Sequence, residues 1–254
     1  MIAAEGTSAA IENARTCSWE RNLSEASRND AAIEPASEIY MAIGKATLAA
    51  SGIEGGMVFL LGAILAPVPS SGHAAELASV FVYTNPSLKR QIEMINDAWD
   101  AYTYKLLARS KYDNERRSAE FITKAMGRVF HALEQHKWVR NFAAHGSLDL
   151  SGDIPLLIPS LYDYKTREKM KKKGISRGLS ADQIISLIAP LSVASGNLFH
   201  LAHVMKLYIQ PFPPGNQAFL AEANELANKL NLPPLKLQDP TQGRPMRQSK
   251  ARPR

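Results

Sequence analysis

Apolar residues recur at intervals of three and four along most of the chain from residue 35 to residue 232, a period typical of amphipathic helices. The first predicted helix begins after Pro35, and prolines end it after Ala66. Its apolar stripe runs through Ile39, Ile43, Ala46, Ala50, Ile53, Met57, Leu61 and Ile64. Glu54 lies at the edge of this stripe. It precedes two glycines that either let a second helix approach closely or weaken the first.

The same period predicts four more helices, which start near residue 85, cover residues 114–145, follow residue 180, and cover residues 216–230. Thr84 or Asn85 is the expected N-cap of the second helix. Ser180 and Gln183 form a capping box for the fourth. The apolar segment Leu77–Tyr83, between the first two helices, receives no assignment.

Two short β-like segments follow the third helix. Ser147–Leu150 and Ile154–Ile158 are joined by the turn-like sequence Ser151-Gly152-Asp153, and a basic loop comes next. The pattern therefore predicts a mainly α fold, an antiparallel bundle of four to five helices with a short β-hairpin inserted before the fourth helix.

Composition adds the domain organisation and the compartment. Hydrophobic residues make up 45% of the 254 residues, enough for one helical domain at residues 35–232. Residues 1–34 lack sustained periodicity and are expected to be a mobile extension, and residues 233–254 a basic, flexible tail. A single cysteine, Cys17, and the lack of a signal-peptide pattern favour the cytoplasm. The apolar block Met57–Ala66 is short for a membrane span, so a buried core helix is expected.

The net charge of +6 is concentrated in two places. Residues 163–177 hold seven basic and two acidic side chains, and residues 240–254 hold five basic ones and no acid. The rest of the chain is therefore mildly acidic. Such segments attract phosphates without regard to base sequence, although a solvated loop and a solubilising tail look the same. The RNA-binding candidates in the first segment are Lys169, Lys171, Lys172, Lys173 and Arg177.

The third helix ends in the chain's best cluster of reactive side chains, at residues 139–146. At about 100° per residue, Arg140 falls on the same face as the apolar stripe, where a guanidinium is costly unless it is paired or used. Asn141 and His145 are four residues apart and share a face. His145 lies in the last turn, where the helix dipole favours imidazolium. Gly146 is expected just past the helix end in a left-handed conformation.

Two residues elsewhere could support this cluster. Glu54 is the expected ion-pair partner if Arg140 is structural, and His136 precedes Arg140 by one turn. His200 and His203 share a helix face, but no third ligand follows at a useful spacing, so they are interpreted as packing residues and no metal site is predicted. Phosphate-binding glycine loops, serine-hydrolase elbows and paired Cys-x-x-Cys motifs do not occur in the sequence.

The end of the third helix carries an Arg followed by a polar residue, with a His after four intervening positions: Arg140, Asn141 and His145. This motif, at the end of a bundle helix, resembles that of the HEPN superfamily. Helix order extends the resemblance to about residues 36–209, but only this short motif is diagnostic. Many proteins of this kind are metal-independent ribonucleases that need no cofactor and work as dimers, and others are noncatalytic binding modules.

The resemblance implies specific roles. Arg140 would stabilise the scissile phosphate, His145 would act as general base or acid, and Asn141 would orient one of them. It also implies a homodimer, and RNA as substrate. Trp138 and Phe142 make the last turns of the third helix apolar on a second side, so either the bundle buries them or a partner chain covers them, in which case they are the expected dimer interface. Some members are toxins with a cognate antitoxin or other partner protein. In some of them a modified tyrosine lies two residues after the histidine, whereas this chain has Ser147 there.

Overall fold

The computed structural model describes residues 36–65, 72–85, 87–109, 113–159, 164–172, 174, 178–209 and 217–237. At Arg140, Lys165, Thr166 and Lys169 it describes the backbone alone. The extension expected at residues 1–34 lies outside these ranges, as does the tail from residue 238 onward.

Helices account for 84% of the described residues, which confirms the mainly α fold class. They are α1 (Ser37–Leu65), α2 (Gly72–Thr84), α3 (Leu88–Arg109), α4 (Asp113–His145), α5 (Tyr164–Lys172), α6 (Ala181–Ile209) and α7 (Gln217–Leu230). The described part thus has seven helices, and the expected count of four to five is wrong. The two additional helices are α2, which contains the unassigned segment Leu77–Tyr83, and α5, which occupies most of the expected basic loop.

The described residues form two compact units. The hairpin unit comprises those within Met1–Gly44 and Phe142–Ile184, and the core unit those within Lys45–Asn141 and Ile185–Arg254. A large apolar cluster fills the core unit, with Met57, Trp99, Met126 and Leu198 among its most buried members. It contains the α1 stripe from Ile53 onward and the apolar positions of α4 from Ile122 to Leu133.

Within the core unit, α1 and α6 pack closely because α1 carries glycines at the contact. A Cβ on Gly56 would lie 2.7 Å from Leu198 Cδ2, and one on Gly52 would lie 2.8 Å from Ser195 Oγ. Close approach of a second helix, one of the two interpretations of the glycines after Glu54, is therefore confirmed at Gly56.

The hairpin unit contains the predicted pair of strands. β1 (Ser147–Asp149) pairs antiparallel with β2 (Leu156–Ile158), so the predicted hairpin is confirmed with shorter strands and a longer connection. In the connection, the backbone N–H and the hydroxyl of Ser151 donate to one oxygen of Asp149, at 3.0 and 2.7 Å. These bonds lower the pKa of Asp149.

Helix ends agree with the sequence pattern at α6 and differ at α3. The Ser180 N–H donates to Gln183 Oε1 at 3.0 Å and the Gln183 N–H to Ser180 Oγ at 3.4 Å, which confirms the capping box. Thr84 and Asn85 do not cap α3 as expected. Their side chains donate back to the last carbonyls of α2, at Val80 and Phe81.

The chain beyond α7 folds back onto the core unit. Asn231 adopts a left-handed conformation, with φ of 52°, and the Leu232 N–H donates to the Ala227 carbonyl at 2.9 Å, which ends α7. The Leu235 N–H then donates to Asn224 Oδ1 at 2.7 Å, and the Leu235 side chain is buried. Residues 233–237, the described beginning of the expected tail, are therefore held against α7.

By length and composition alone, α1 and α6 are each apolar enough to cross a membrane. The described part of that block, residues 57–65, is short, but it belongs to a longer segment of α1, residues 46–65, whose one charged residue is Glu54. The short block alone argued against a membrane span, but the length of α1 does not. Core helices of soluble proteins pass the same test, so the finding is weak evidence.

Candidate functional site

The candidate motif lies at the C-terminal end of α4. Four apolar residues predicted to form the helix stripe, Ile122, Met126, Val129 and Leu133, are all buried. The helix contains Arg140 and Asn141 and ends at His145, as the pattern predicts. Asn141 belongs to the core unit and is exposed, and His145 belongs to the hairpin unit and is also exposed.

Gly146 follows α4 directly, but for a different reason than expected. Its φ is not positive, so the predicted left-handed conformation is wrong. A Cβ at this position would lie 2.7 Å from Leu157 Cγ and 2.9 Å from the Phe142 carbonyl oxygen. Glycine is therefore required because β2 packs against the helix end, with the Gly146 N–H donating to that carbonyl at 2.8 Å.

Asn141 lines a cleft of about 200 Å³ in the core unit. The polar lining residues come from three helices and the residue before α3: Glu54, Ser87, Lys89, Gln91, Lys137 and Asn141. Ala50, Ile53, Leu88 and Leu191 form its apolar part. The structure thus brings together two residues singled out in the sequence, Asn141 and Glu54, and adds two lysines that sequence reasoning missed.

The first turn of α3 is held in place at this cleft by Gln91. The buried Gln91 side chain donates from Nε2 to the Val82 carbonyl at 3.0 Å and to the Asn85 carbonyl at 2.7 Å. The backbone N–H of Gln91 donates to the Ser87 carbonyl at 3.0 Å. These bonds fix the connection from α2 to α3, and with it the positions of Ser87 and Lys89 at the rim.

The two lysines make weak intrahelical ion pairs. Lys89 Nζ lies 3.6 Å from Glu93 and Lys137 Nζ lies 4.0 Å from Glu134, and all four side chains are well exposed. Exposed pairs of this kind contribute roughly 0–1 kcal/mol, so an anion can compete for either ammonium group. The volume of the cleft lies below the roughly 300–1,000 Å³ of drug-sized ligand sites and suits a phosphate group better than a whole nucleotide.

Other predicted residues lie elsewhere or have another role. His136 is half-buried on α4. Trp138 is 4% exposed and Phe142 1%, so both are buried within the chain itself and cannot form the expected dimer interface. On α5, Lys171 and Lys172 are exposed. The Lys169 side chain, Lys173 and Arg177 are outside the described part of the chain.

A second polar cluster joins α6 to α7 in the core unit. His200 Nε2 lies 2.9 Å from Glu222 Oε2, and Lys229 Nζ lies 3.1 Å from His200 Nδ1 and 2.7 Å from Glu225. Sequence spacing offered no third ligand near His200 and His203, but in the fold α7 supplies two carboxylates, Glu222 and Glu225, whose oxygens lie within 4.8 Å of a ring nitrogen of His200. Because the Lys229 ammonium already bridges this group and lowers the pKa of Glu225, we interpret the cluster as an interhelical hydrogen-bond network.

No protein-family model, curated protein or solved structure matches this chain. His145 does not line the cleft. Functional assignment therefore rests on the motif in α4 and on the cleft that its Asn141 lines.

Proposed function

We propose that this protein is a metal-independent endoribonuclease of the HEPN type, an antiparallel helical bundle with a composite Arg/His site shared by two copies of the chain. One observation carries the proposal: Asn141, the polar residue of the motif, lines a cleft together with Lys89 and Lys137. Two cations and an amide beside an Arg-x4-His motif suit a phosphodiester, which is anionic and accepts hydrogen bonds.

Each residue of the motif then has a chemical role. The ribose 2′-oxygen attacks the adjacent phosphorus, and the new O2′–P bond forms as the P–O5′ bond breaks, leaving a 2′,3′-cyclic phosphate and a 5′-hydroxyl. His145 takes the proton from the 2′-hydroxyl while water protonates the departing O5′, or it protonates O5′ while water takes the 2′-hydroxyl proton. Arg140 stabilises the negative charge on the phosphoryl oxygens, and Asn141 orients the phosphate or His145.

Helix geometry explains why two copies are required. On an ideal helix, Arg140 and His145 diverge by about 140°, so one α4 alone brackets a phosphate poorly. Two motifs across a twofold axis supply an Arg from one chain and a His from the other. Lys171 and Lys172 on α5, with the basic residues on either side of them in the sequence, would attract the flanking RNA phosphates.

A second function, a noncatalytic interaction module, is favoured by the position of Glu54. This carboxylate lines the same cleft as Asn141, the residue that follows Arg140 in the sequence. In this alternative, Arg140 pairs with Glu54 and joins α4 to α1, and the protein binds a partner protein, for example a cognate antitoxin, without cleaving RNA.

RNA cleavage in the presence of a chelator tests the proposal. We expect the purified protein to cut RNA in excess EDTA and to leave 2′,3′-cyclic phosphate ends. His145→Ala should lower the rate by about 10²–10⁴-fold, the range for loss of a general acid or base. Arg140→Ala should lower it by about 10²–10³-fold, as expected for loss of charge stabilisation.

Matched controls on the same helix are His131→Ala and Arg128→Ala, because both residues are exposed on α4 outside the motif. Circular dichroism would establish that all four variants are folded. Intact RNA with the wild-type protein across the pH range, or undiminished cleavage by folded His145→Ala protein, would refute the ribonuclease and leave the interaction module.

A further inference from the structure

The polar cluster between α6 and α7 brings three potential metal ligands together. His200 belongs to α6, and Glu222 and Glu225 lie one turn apart on α7. One ring nitrogen of His200 and one oxygen of each carboxylate all lie within 4.8 Å of one another. Among the residues that the structure describes, no other three His, Cys, Asp or Glu side chains converge in this way. We call these three residues and Lys229 the α6/α7 cluster.

The imidazole of His200 is held in one orientation. Its side chain is 10% exposed, and both ring nitrogens make hydrogen bonds, Nε2 with Glu222 at 2.9 Å and Nδ1 with Lys229 at 3.1 Å. An ammonium group only donates hydrogen bonds, so Nδ1 accepts and the imidazole proton is on Nε2, which donates to Glu222. His200 is thus a neutral, positioned imidazole, the form that binds metal ions.

Lys229 supplies the cluster with a positive charge. Its Nζ lies 2.7 Å from Glu225 as well as 3.1 Å from His200 Nδ1. The side chain is 47% exposed, and exposed ion pairs contribute little to stability, so little is lost when this flexible stem turns into solvent. One ammonium also leaves the two carboxylates with a net negative charge, whereas a divalent cation neutralises both. A divalent metal ion is therefore the closer match in charge.

The ligand types favour zinc. Ca²⁺ and Mg²⁺ prefer sets of oxygen ligands, whereas Zn²⁺ binds His nitrogen together with carboxylate oxygen. At zinc–ligand distances of about 2.0–2.2 Å, the ligand atoms of a tetrahedral site lie about 3.4 Å apart. The most distant pair in the cluster therefore has to approach by about 1.4 Å or less. Rotation of the two glutamate side chains, which are both accessible to solvent, supplies this movement.

We propose that His200, Glu222 and Glu225 bind one Zn²⁺ ion, with Lys229 displaced into solvent and water as the fourth ligand. Once Lys229 has left, one ring nitrogen of His200 binds the metal and the other carries the proton. The zinc ion then joins α6 to α7 in place of the present hydrogen bonds. The α6/α7 cluster shares no residue with the motif of α4 or with the cleft, so the inference holds whether or not the protein cleaves RNA.

Isothermal titration calorimetry of the chelator-stripped full chain with zinc chloride tests the site. We expect one zinc ion to bind per chain. His200→Ala and Glu222→Gln should each weaken zinc binding by about tenfold or more, since loss of even an outer-shell partner of a metal ligand costs that much. Lys229→Met should instead tighten zinc binding severalfold, because it removes the ammonium that competes for the same ligands.

The matched control is His203→Ala, because His203 is an exposed histidine on α6 outside the cluster. This variant should bind zinc as the wild type does. Zinc, but not magnesium, should also raise the thermal unfolding temperature of the wild type, and His200→Ala protein should lose that increase.

Absence of zinc binding by the wild type would overturn the inference, as would undiminished binding by folded His200→Ala protein. Circular dichroism establishes whether each variant is folded. If His200→Ala does not fold, Lys229→Met decides, because its substitution is at an exposed side chain. Binding no tighter than that of the wild type would then contradict the site, and equal stabilisation by magnesium would exclude zinc as its ligand.

Discussion

The phenol of Tyr208 is enclosed by aromatic side chains of the core unit. Its ring centroid lies 6.0 Å from that of Trp99 and 5.8 Å from that of Phe219, and its hydroxyl donates to the Glu115 carbonyl at 3.2 Å. Burial raises the pKa of Tyr208 well above its usual value, and the charges of Tyr102 and Glu115 raise it further. The pKa of Tyr102 is raised by burial as well.

These shifts predict a loss of stability in alkali. The folded chain binds the tyrosine protons more tightly than the unfolded chain does. The contribution of these groups to the free energy of unfolding is therefore fully present below about pH 10, the pKa of tyrosine in the unfolded chain, and is lost as the pH rises above it. Tyr208→Phe should weaken this alkaline dependence, while at neutral pH it loses one hydrogen bond, about 1 kcal/mol. Urea unfolding from neutral pH to strong alkali measures both effects. Tyr104→Phe, on an exposed ring, is the control, and an unchanged alkaline slope in Tyr208→Phe would contradict the prediction.

At the same scale, the site shows what the sequence can and cannot reveal. The apolar stripe and the end of α4 at His145 follow from local periodicity and were predicted. The reason for Gly146 was not, because the nearest atoms that exclude a side chain belong to Leu157, eleven residues later in β2. Lys137 lies one turn before Asn141 and could have been noticed. Lys89 could not, since only packing of α3 brings it to the cleft.

Between elements, the contact of α1 with α6 depends on Gly56. A Cβ there would lie 2.7 and 2.9 Å from Leu198, a fully buried side chain with little room to move. Gly56→Ala should therefore lower the free energy of unfolding by about 1–3 kcal/mol, as overpacking does. Gly127→Ala is the matched control, because Gly127 is an exposed glycine inside α4 with nothing within 4 Å of a new Cβ. It should raise stability by about 0.5–1 kcal/mol, the ordinary gain of alanine in a helix. Chemical denaturation compares the two, and equal effects would show that the close packing is unimportant.

The two unassigned helices have separate explanations. The buried positions of α2 include Ala74, Ala78 and Val82, spaced by four, but two of the three are small and contribute little to an apolar pattern. In α5, Met170 is buried but has lysines on both sides in the sequence, so the charge run resembled a loop. Both helices are defined by tertiary packing rather than by a strong stripe, whereas α1, α3, α4, α6 and α7 carry stripes that the sequence shows directly.

Across the whole chain, the positive charge is concentrated in two segments, one of which contains α5. The net charge is +6, yet residues 163–177 and 240–254 each contribute an excess of five positive charges, so the remainder is negative. If RNA is the substrate, the acidic remainder of the chain repels its phosphates. The two basic segments then supply the attraction that holds the RNA.

Removal of residues 240–254 should therefore weaken RNA binding in a way that depends on salt. Each phosphate contact to single-stranded RNA adds about 0.7 to the slope of log affinity against log salt, so loss of five cations can reduce that slope by up to about 3.5. Fluorescence anisotropy with labelled RNA at several salt concentrations measures it, and the catalytically impaired His145→Ala protein keeps the RNA intact. A full-length variant with Gln at Arg244, Arg247, Lys250, Arg252 and Arg254 separates charge from chain length and should match the truncation. If both proteins keep the wild-type slope, the tail does not contact RNA and serves only to keep the protein soluble.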